Sequence, residues 1–114
     1  MPPREWKLRI EDILECIGRI QEYTRGLTAD AFAADQKTID AVVRNFEIIG
    51  EATRHVPPHI QTQYPEIPWA MMRAFRNVMI HAYEIVDVDV VWKTSQERIE
   101  PLVPHLRRIL AENA

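Results

Sequence analysis

The stretch of sequence that decides the fold is IDAVVRNFEIIGEA, residues 39–52. Its apolar residues recur at steps of three and four, which places them on one face of a helix. Asp35 precedes the stretch and suits an N-cap, whereas Pro57 and Pro58 follow it and end the helix. We therefore predict a helix that begins after Asp35 and ends near His55. Its inward residues are Ile39, Val42, Val43, Phe46, Ile49 and Ala52.

The same periodicity appears on the N-terminal side of this stretch. A first helix is predicted from near Pro3, which suits the first helical position, to about Tyr23. Gly26 is a suitable stop, and Thr28 can cap a short helical turn that contains Phe32. The apolar stripe of the first helix consists of Leu8, Ile10, Ile13, Leu14, Ile17 and Ile20.

Prolines organise the segment that follows the central helix. Residues 57–68 contain four prolines and are predicted to form a connector with at most a short helical turn near Ile60. Pro68 then opens a third helix, which we expect to fray near Ala82 or Tyr83. The packing face of this helix is predicted to be Trp69, Met72, Phe75 and Met79.

A fourth helix is predicted to start near Asp87 or Asp89, whose carboxylates suit a helix N-terminus. Pro101 and Pro104 kink this helix or divide it in two. Its apolar residues are Val90, Val91, Trp92, Ile99, Leu102, Leu106, Ile109 and Leu110. The sequence therefore predicts an all-α protein, an antiparallel bundle of four to five helices in one domain over residues 1–114.

Composition bounds the class of protein. The chain is 46% hydrophobic and 27% charged, and it has only three glycines, which favours a helical globular domain. No apolar run approaches the roughly 20 residues of a membrane span, and residues 1–5 lack a signal-peptide pattern. Cys16 is the only cysteine, so no internal disulfide can form. We expect a cytoplasmic protein with no membrane association.

The net charge of −3 argues against a broad electrostatic footprint on nucleic acid. It still allows a local basic cleft, because an enzyme needs only a few well-placed positive groups. It also leaves acidic surface for a basic partner.

The stretch RNVMIHAY, residues 76–83, is the candidate functional site. Arg76 supplies a permanent charge and a planar donor fork suited to phosphate, and His81 can exchange a proton near neutral pH. On an ideal helix Arg76 aligns with Tyr83 within roughly 20°, but lies roughly 140° from His81. Three arrangements remain open: Arg76 reaches around the helix, the helix unwinds near His81, or the two residues meet their twofold copies in a dimer.

These side chains suit cleavage of RNA by its own 2′-hydroxyl, which requires neither a metal nor a cofactor. His81 fits either proton-transfer role, and Arg76 fits stabilisation of the charge on the phosphoryl oxygens. Asn77, four residues before His81, can orient it or bind phosphate. The alternative is a surface cation followed by a histidine that interacts with the helix dipole, with Tyr83 as a half-buried aromatic residue.

Polar residues of the central helix have two interpretations. Arg44, Glu47 and Glu51 share one face, as in a solvated or salt-bridged stripe. Alternatively, Glu47 or Glu51 packs behind the motif helix and orients Arg76. Gly50 in mid-helix costs about 1 kcal/mol against alanine, which indicates a close helix crossing. The histidines outside the motif lack metal-ligand spacing and are predicted to lie at the surface: His55, His59 and His105.

The motif Arg76-Asn77-x-x-x-His81-x-Tyr83 resembles the Arg-x4-His-x-Tyr signature of the HEPN superfamily, in its HepT-like toxin branch. The resemblance extends over nearly the whole chain. Its further pieces are residues 23–28 with Phe32, residues 40–52, residues 65–69 and residues 87–92.

This resemblance implies a small all-helical protein that forms a homodimer around the motif helix. It implies a toxin of a two-gene toxin–antitoxin module, paired with an MNT-type nucleotidyltransferase antitoxin. The activity it implies is metal-independent cleavage of an RNA substrate by Arg76 and His81, supported by Asn77. In characterised members the antitoxin adds AMP to the motif tyrosine, here Tyr83. Because Tyr83 shares the Arg76 face, the added phosphate would block and neutralise the cleft.

Two other functions are considered. The chain could be a non-catalytic helical module that binds a nucleotide or a protein partner without cutting RNA. It could also be a structural subunit in which Arg76 and His81 form only a dimer seam.

Overall fold

The structure, a computed structural model, describes residues 5–81 and 87–114, with the side chains of residues 77–81 outside the description. Within these ranges the chain is all-helical, as predicted. None of the described helices combines the length and the apolar character needed to cross a membrane. The helices are α1 (Trp6–Thr24), α2 (Ala29–Ala33), α3 (Gln36–Arg54), α4 (Pro58–Gln63), α5 (Trp69–His81), α6 (Val88–Glu97) and α7 (Leu102–Glu112).

Helix α3 is the centre of the bundle, since it packs against both α1 and α5. The predicted inward residues of α3 are buried except Val43, which is partly buried against the core. Cys16 lies in this core, and burial raises the pKa of its thiol to about 11. The remaining core residues of α1 and α5 include Ile10, Ile13, Ile17, Ile20, Trp69, Met72 and Phe75.

Two of the apolar residues named for the predicted helices lie at the surface. Leu8 is 38% exposed and Val90 is 43% exposed. Leu8 precedes Ile10 by two residues, which turns it roughly 200° away from the buried stripe of α1. Val90 directly precedes the buried Val91, which places it roughly 100° away around α6, and it faces outward. The prediction that Leu8 belongs to the apolar stripe was wrong, because its position around the helix places it outside that stripe.

The predicted helix starts and stops are confirmed where side chains cap the helices. The N-cap side chains of Thr28, Asp35 and Asp87 accept hydrogen bonds from backbone amides three residues later, at 3.1, 3.1 and 3.2 Å. Gly26 follows the end of α1 with a φ of 76°, a left-handed conformation that favours glycine. Helix α1 itself begins at Trp6, later than the predicted Pro3, which lies outside the described residues.

Prolines divide the chain as expected. Pro58 is the first residue of the short helix α4, which contains the buried Ile60. Helix α5 starts directly after Pro68. The predicted fourth helix is divided into α6 and α7, with Pro101 at the N-cap of α7 and Pro104 in its first turn.

A network that the sequence did not predict ties α7 to the connector ahead of α5. The Tyr64 hydroxyl donates to Glu112 Oε1 at 2.8 Å and accepts from Asn113 Nδ2 at 3.1 Å. The indole Nε1 of Trp69 donates to the carbonyl oxygen of Tyr64 at 3.0 Å. The first residue of α5 is therefore anchored to the same tyrosine as the end of α7.

Candidate active site at the crossing of α3 and α5

The closest approach of α3 and α5 lies where Gly50 faces Arg76. A Cβ atom on Gly50 would lie 2.5 Å from the backbone nitrogen of Arg76 and 2.7 Å from its Cβ. Both distances are shorter than nonbonded atoms tolerate, so only glycine permits this separation. One turn earlier, Phe46 packs edge-on against Phe75 with ring centroids 5.0 Å apart. The predicted close crossing is confirmed, and it fixes the backbone of the first motif residue.

The side chain of Arg76 is held by the neighbour of this glycine. Arg76 Nε lies 3.1 Å from Glu51 Oε2, and the Arg76 side chain is 41% exposed. Among the described residues, Glu51 is the one carboxylate that pairs with Arg76. Because the contact is made by Nε, it leaves the two terminal nitrogens of the guanidinium group for the bidentate contact that phosphate favours.

Glu51 is shared by three basic side chains. Arg54 Nη1 lies 3.2 Å from Glu51 Oε2, and His55 Nε2 lies 3.3 Å from Glu51 Oε1. Partial burial acts to raise the pKa of Glu51, but the hydrogen bond with His55 and the charges of Arg54 and Arg76 outweigh it and leave the pKa below its ordinary 4.5. The carboxylate is therefore ionised at neutral pH and orders the basic groups around it.

The two interpretations of the polar face of α3, a salt-bridged stripe and a contact with Arg76, hold for different residues of that face. Arg44 and Glu47 form an ion pair within the helix at 3.6 Å, as expected of a salt-bridged stripe. The contact with Arg76 is made by Glu51 and not by Glu47. Glu47 lies one turn earlier on α3 and pairs with the exposed Arg44 instead.

Arg76 forms a ridge between two open hollows. The first, the α1–α3 hollow, has a volume of about 320 Å³ and carries side chains of both charges. Its lining consists of Arg9, Asp12, Arg44, Glu47, Ile48, Glu51, Ala52 and Arg76.

The second, the α5 hollow, has a volume of about 470 Å³ and lies between the end of α3 and the first half of α5. It is lined by Arg54, Ala70, Arg73, Ala74 and Arg76. Among the described residues, the charged side chains that line it are all basic, in contrast to the α1–α3 hollow. Arg76 is thus accessible from a mixed surface on one side and from a basic surface on the other.

For the other motif residues the structure describes only the backbone, and only as far as His81, the last residue of α5. This helix continues through His81, so it does not unwind between Arg76 and His81, whereas unwinding directly after His81 falls outside the described residues. The side chains of Asn77 and His81, and the whole of Tyr83, lie outside the described residues. The two other arrangements, a long reach by Arg76 and a composite dimer site, stay predictions.

The histidines outside the motif agree in part with the surface prediction. His55 and His59 are exposed, whereas His105 is half-buried. In the described part of the chain, no group of three or more His, Cys, Asp or Glu side chains is arranged to hold a metal ion.

Sequence reasoning missed two residues of this region, Arg54 and Arg73. The available signal was their spacing: Arg54 lies three residues after Glu51, and Arg73 lies three residues before Arg76. Their convergence into one hollow depends on how α3 crosses α5, which no local pattern reports.

Comparison with known proteins gives a consistent family assignment. A family model described as "Ribonuclease HepT-like" matches residues 13–109. A protein of Thermococcus cleftensis named probable ribonuclease HepT is 46% identical over 99 residues, which cover 87% of this chain and 90% of the relative. No solved structure shows significant similarity to the chain.

Two further relatives are named as candidate RNases. One, from Methanocaldococcus jannaschii, is 30% identical over 112 residues, which cover 98% of this chain and 93% of the relative. The other, from Caldanaerobacter subterraneus subsp. tengcongensis, is 30% identical over 101 residues, which cover 89% of this chain and 90% of the relative.

Proposed function

Because the chain belongs to the HepT-like ribonuclease family, we propose that it is an endoribonuclease that cleaves RNA without a metal ion. Arg76 and His81 form its catalytic pair. The observation that carries the proposal is the guanidinium group of Arg76, which Glu51 holds at 3.1 Å on a ridge between two open hollows. A cation fixed in this way, on a side chain that is 41% exposed, is suited to a substrate phosphate.

The reaction is an internal transesterification. A general base takes the proton of the 2′-hydroxyl, O2′ attacks phosphorus, and the bond from phosphorus to O5′ breaks as a general acid protonates O5′. His81 acts in proton transfer, and Arg76 stabilises the charge that builds on the phosphoryl oxygens. Asn77 orients His81 or binds the phosphate. The products carry a 2′,3′-cyclic phosphate and a 5′-hydroxyl.

A homodimer built around α5 completes this site. One chain supplies one motif histidine, whereas the reaction uses both a base and an acid. Arg76 and His81 are also roughly 140° apart on a regular helix, and α5 is helical through His81. A cleft between two copies brings two arginines and two histidines together without requiring either chain to distort.

Residues of α3 support the site without touching the reacting atoms. Glu51 is a positioning residue that holds Arg76, and its low pKa keeps it charged at the pH of the reaction. Glu47 and Arg44 support the same face through their ion pair on the rim of the α1–α3 hollow.

The enzyme acts in the cytoplasm as the toxin of a toxin–antitoxin module, and a cognate nucleotidyltransferase antitoxin neutralises it. That antitoxin transfers AMP to the hydroxyl of Tyr83. Because the seven-residue spacing predicts that Tyr83 shares the face of Arg76, the added phosphate is expected to compete with the substrate phosphate for the same cation.

The test of the cleavage reaction uses the protein produced alone and purified. We expect it to cut cellular RNA in the presence of a chelator such as EDTA and to leave 2′,3′-cyclic phosphate ends. RNA in which every 2′-hydroxyl is methylated is the matched control and stays intact, because it lacks the attacking group. The proposal fails if the unmodified protein binds RNA but releases no product, a result that favours a binding module.

The test of regulation is the intact mass of the protein, produced with and without its cognate nucleotidyltransferase. We expect a gain of one or more AMP units in the presence of the antitoxin, together with loss of RNA cleavage. Tyr83→Phe removes the gain, whereas Tyr23→Phe, at an exposed tyrosine of α1, leaves it unchanged. A gain that persists in Tyr83→Phe places the modification on another residue.

A further inference from the structure

We propose that the α5 hollow binds an RNA phosphate adjacent to the one that reacts, with Arg73 as its principal contact. This inference rests on the proposed function, since it concerns how the same site holds its substrate. It assigns a substrate-binding role to a residue outside the motif.

The position of Arg73 relative to Arg76 suits two successive phosphates. Three residues along a helix advance about 4.5 Å and keep the two side chains neighbours on its surface. Both arginines line the α5 hollow, together with the small side chains of Ala70 and Ala74. A strand whose reacting phosphate meets Arg76 can therefore continue into the hollow and meet Arg73.

The charge of Arg73 is ordered without being neutralised. Arg73 Nη1 donates to Gln61 Oε1 at 2.5 Å, and Gln61 Nε2 donates to the carbonyl oxygen of Val56 at 2.9 Å. A neutral amide thus holds the guanidinium in place. In the described part of the structure no carboxylate pairs with Arg73, whereas Arg54 and Arg76 share Glu51. Because the guanidinium group of Arg73 is held in position and keeps its charge, it is suited to bind an anion from solution.

The α1–α3 hollow, on the other side of Arg76, is unsuited to bind an RNA phosphate. The α1–α3 hollow presents the carboxylates of Asp12, Glu47 and Glu51 beside its basic groups. A phosphate there meets like charges, whereas the described residues that line the α5 hollow include three arginines and no carboxylate. On a chain with a net charge of −3, the α5 hollow is a local basic surface of the kind RNA needs.

The experiment measures binding separately from cleavage. The probe is a fluorescein-labelled single-stranded RNA methylated at every 2′-hydroxyl, and its binding is followed by fluorescence anisotropy over a range of salt concentrations. Arg73→Gln is expected to weaken binding by about tenfold and to reduce the slope of log affinity against log salt by about 0.7, the value for one phosphate contact on a single strand. Arg73→Lys retains the slope and loses only part of the affinity.

The matched control for the lost charge is Arg107→Gln. Arg107 is exposed on α7 outside the lining of the α5 hollow. This variant changes the net charge equally and is expected to leave the affinity within about twofold of the wild type.

A second pair of variants tests the charge of Arg73 without replacing it. Gln61→Glu puts a carboxylate against Arg73 and is expected to weaken RNA binding by severalfold through local neutralisation. Gln63→Glu makes the same change at an exposed position of the same short helix and leaves binding unchanged. Circular dichroism on all variants separates a loss of binding from a loss of fold.

The outcomes for this subsite and for the proposed function are distinguishable. If Arg73→Gln binds the probe like the wild type, the subsite is wrong, whether or not the wild type cleaves RNA. If the wild type fails to bind the probe, the subsite is also wrong, and cleavage of unmodified RNA decides the function alone. If Arg73→Gln weakens only the association with the nucleotidyltransferase, the hollow is a protein-binding surface and the proposal is overturned.

Discussion

Replacing either Arg76 or His81 with alanine is expected to lower the rate of RNA cleavage by about 10²- to 10⁴-fold. Without Arg76, no fixed cation remains on the ridge to stabilise the charge of the phosphorane-like transition state. Without His81, a proton must move to or from water, which is a poorer acid and base at neutral pH. The rate is measured as single-turnover cleavage of a labelled RNA with enzyme in excess.

The activity of the variant that lacks both Arg76 and His81 provides a further test. Residues that act on the same transition state do not contribute independently. The Arg76→Ala, His81→Ala double variant is therefore expected to lose little more activity than the worse single variant. Two losses that multiply would indicate that the two side chains act in separate steps.

Controls for these variants come from the same chain. Arg107→Ala and His59→Ala remove the same residue types at exposed positions and are expected to retain full activity. Growth arrest or RNA cleavage that survives His81→Ala would contradict the assigned chemistry. A loss of dimer stability in Arg76→Ala with unchanged cleavage would favour the structural-subunit alternative.

Substitution of Gly50 by alanine is expected to be the most destabilising single-methyl change in the described part of the chain. Its new Cβ would lie 2.5 Å from the backbone nitrogen of Arg76, and a backbone atom cannot rotate away as a side chain does. Helix α5 must shift instead. Overpacking costs about 1–3 kcal/mol, whereas alanine gains up to about 1 kcal/mol in helix propensity, so we expect a net loss of about 1 kcal/mol in the free energy of unfolding.

Gly18→Ala is the matched control, because Gly18 also lies inside a helix. A Cβ atom there meets no heavy atom within 4 Å. Only the propensity gain remains, and the free energy of unfolding is expected to rise by about 0.5–1 kcal/mol. Urea denaturation followed by circular dichroism, at one protein concentration for all variants, measures both changes.

Opposite signs at the two glycines would locate the effect in the helix crossing. Equal stabilisation at both positions would show that α5 can move away from α3 at no cost. We also expect Gly50→Ala to lose RNA cleavage under conditions where it is still folded. The reason is that the shift of α5 moves Arg76 away from Glu51, whose contact fixes the guanidinium group.

Much of the fold could be predicted from the sequence because its determinants are local. The N-caps at Thr28, Asp35 and Asp87 each bond an amide three residues away, so the cap and its partner are visible in one short window. The division before Pro101 follows from a missing amide hydrogen. Errors such as Leu8 arose where hydrophobic character and helical phase disagreed.

The candidate site was predicted less completely. The motif indicated Arg76, Gly50 was expected to permit a close helix crossing, and either Glu47 or Glu51 was expected to contact Arg76; the structure shows the crossing at Gly50 and the contact at Glu51. Arg54 and Arg73 were missed because an arginine on a helix is usually a solvated surface residue.

The sequence by itself determined where most of the helices begin and end, which of their faces is apolar, and that an arginine suited to phosphate precedes a histidine on one helix. These properties depend on residues within a turn or two of one another. Only the tertiary structure decided that Glu51 and not Glu47 holds Arg76, and that Gln61 orders Arg73 without neutralising it. Those partners are distant in the chain, and the packing of α5 against Gly50 sets which of them meet.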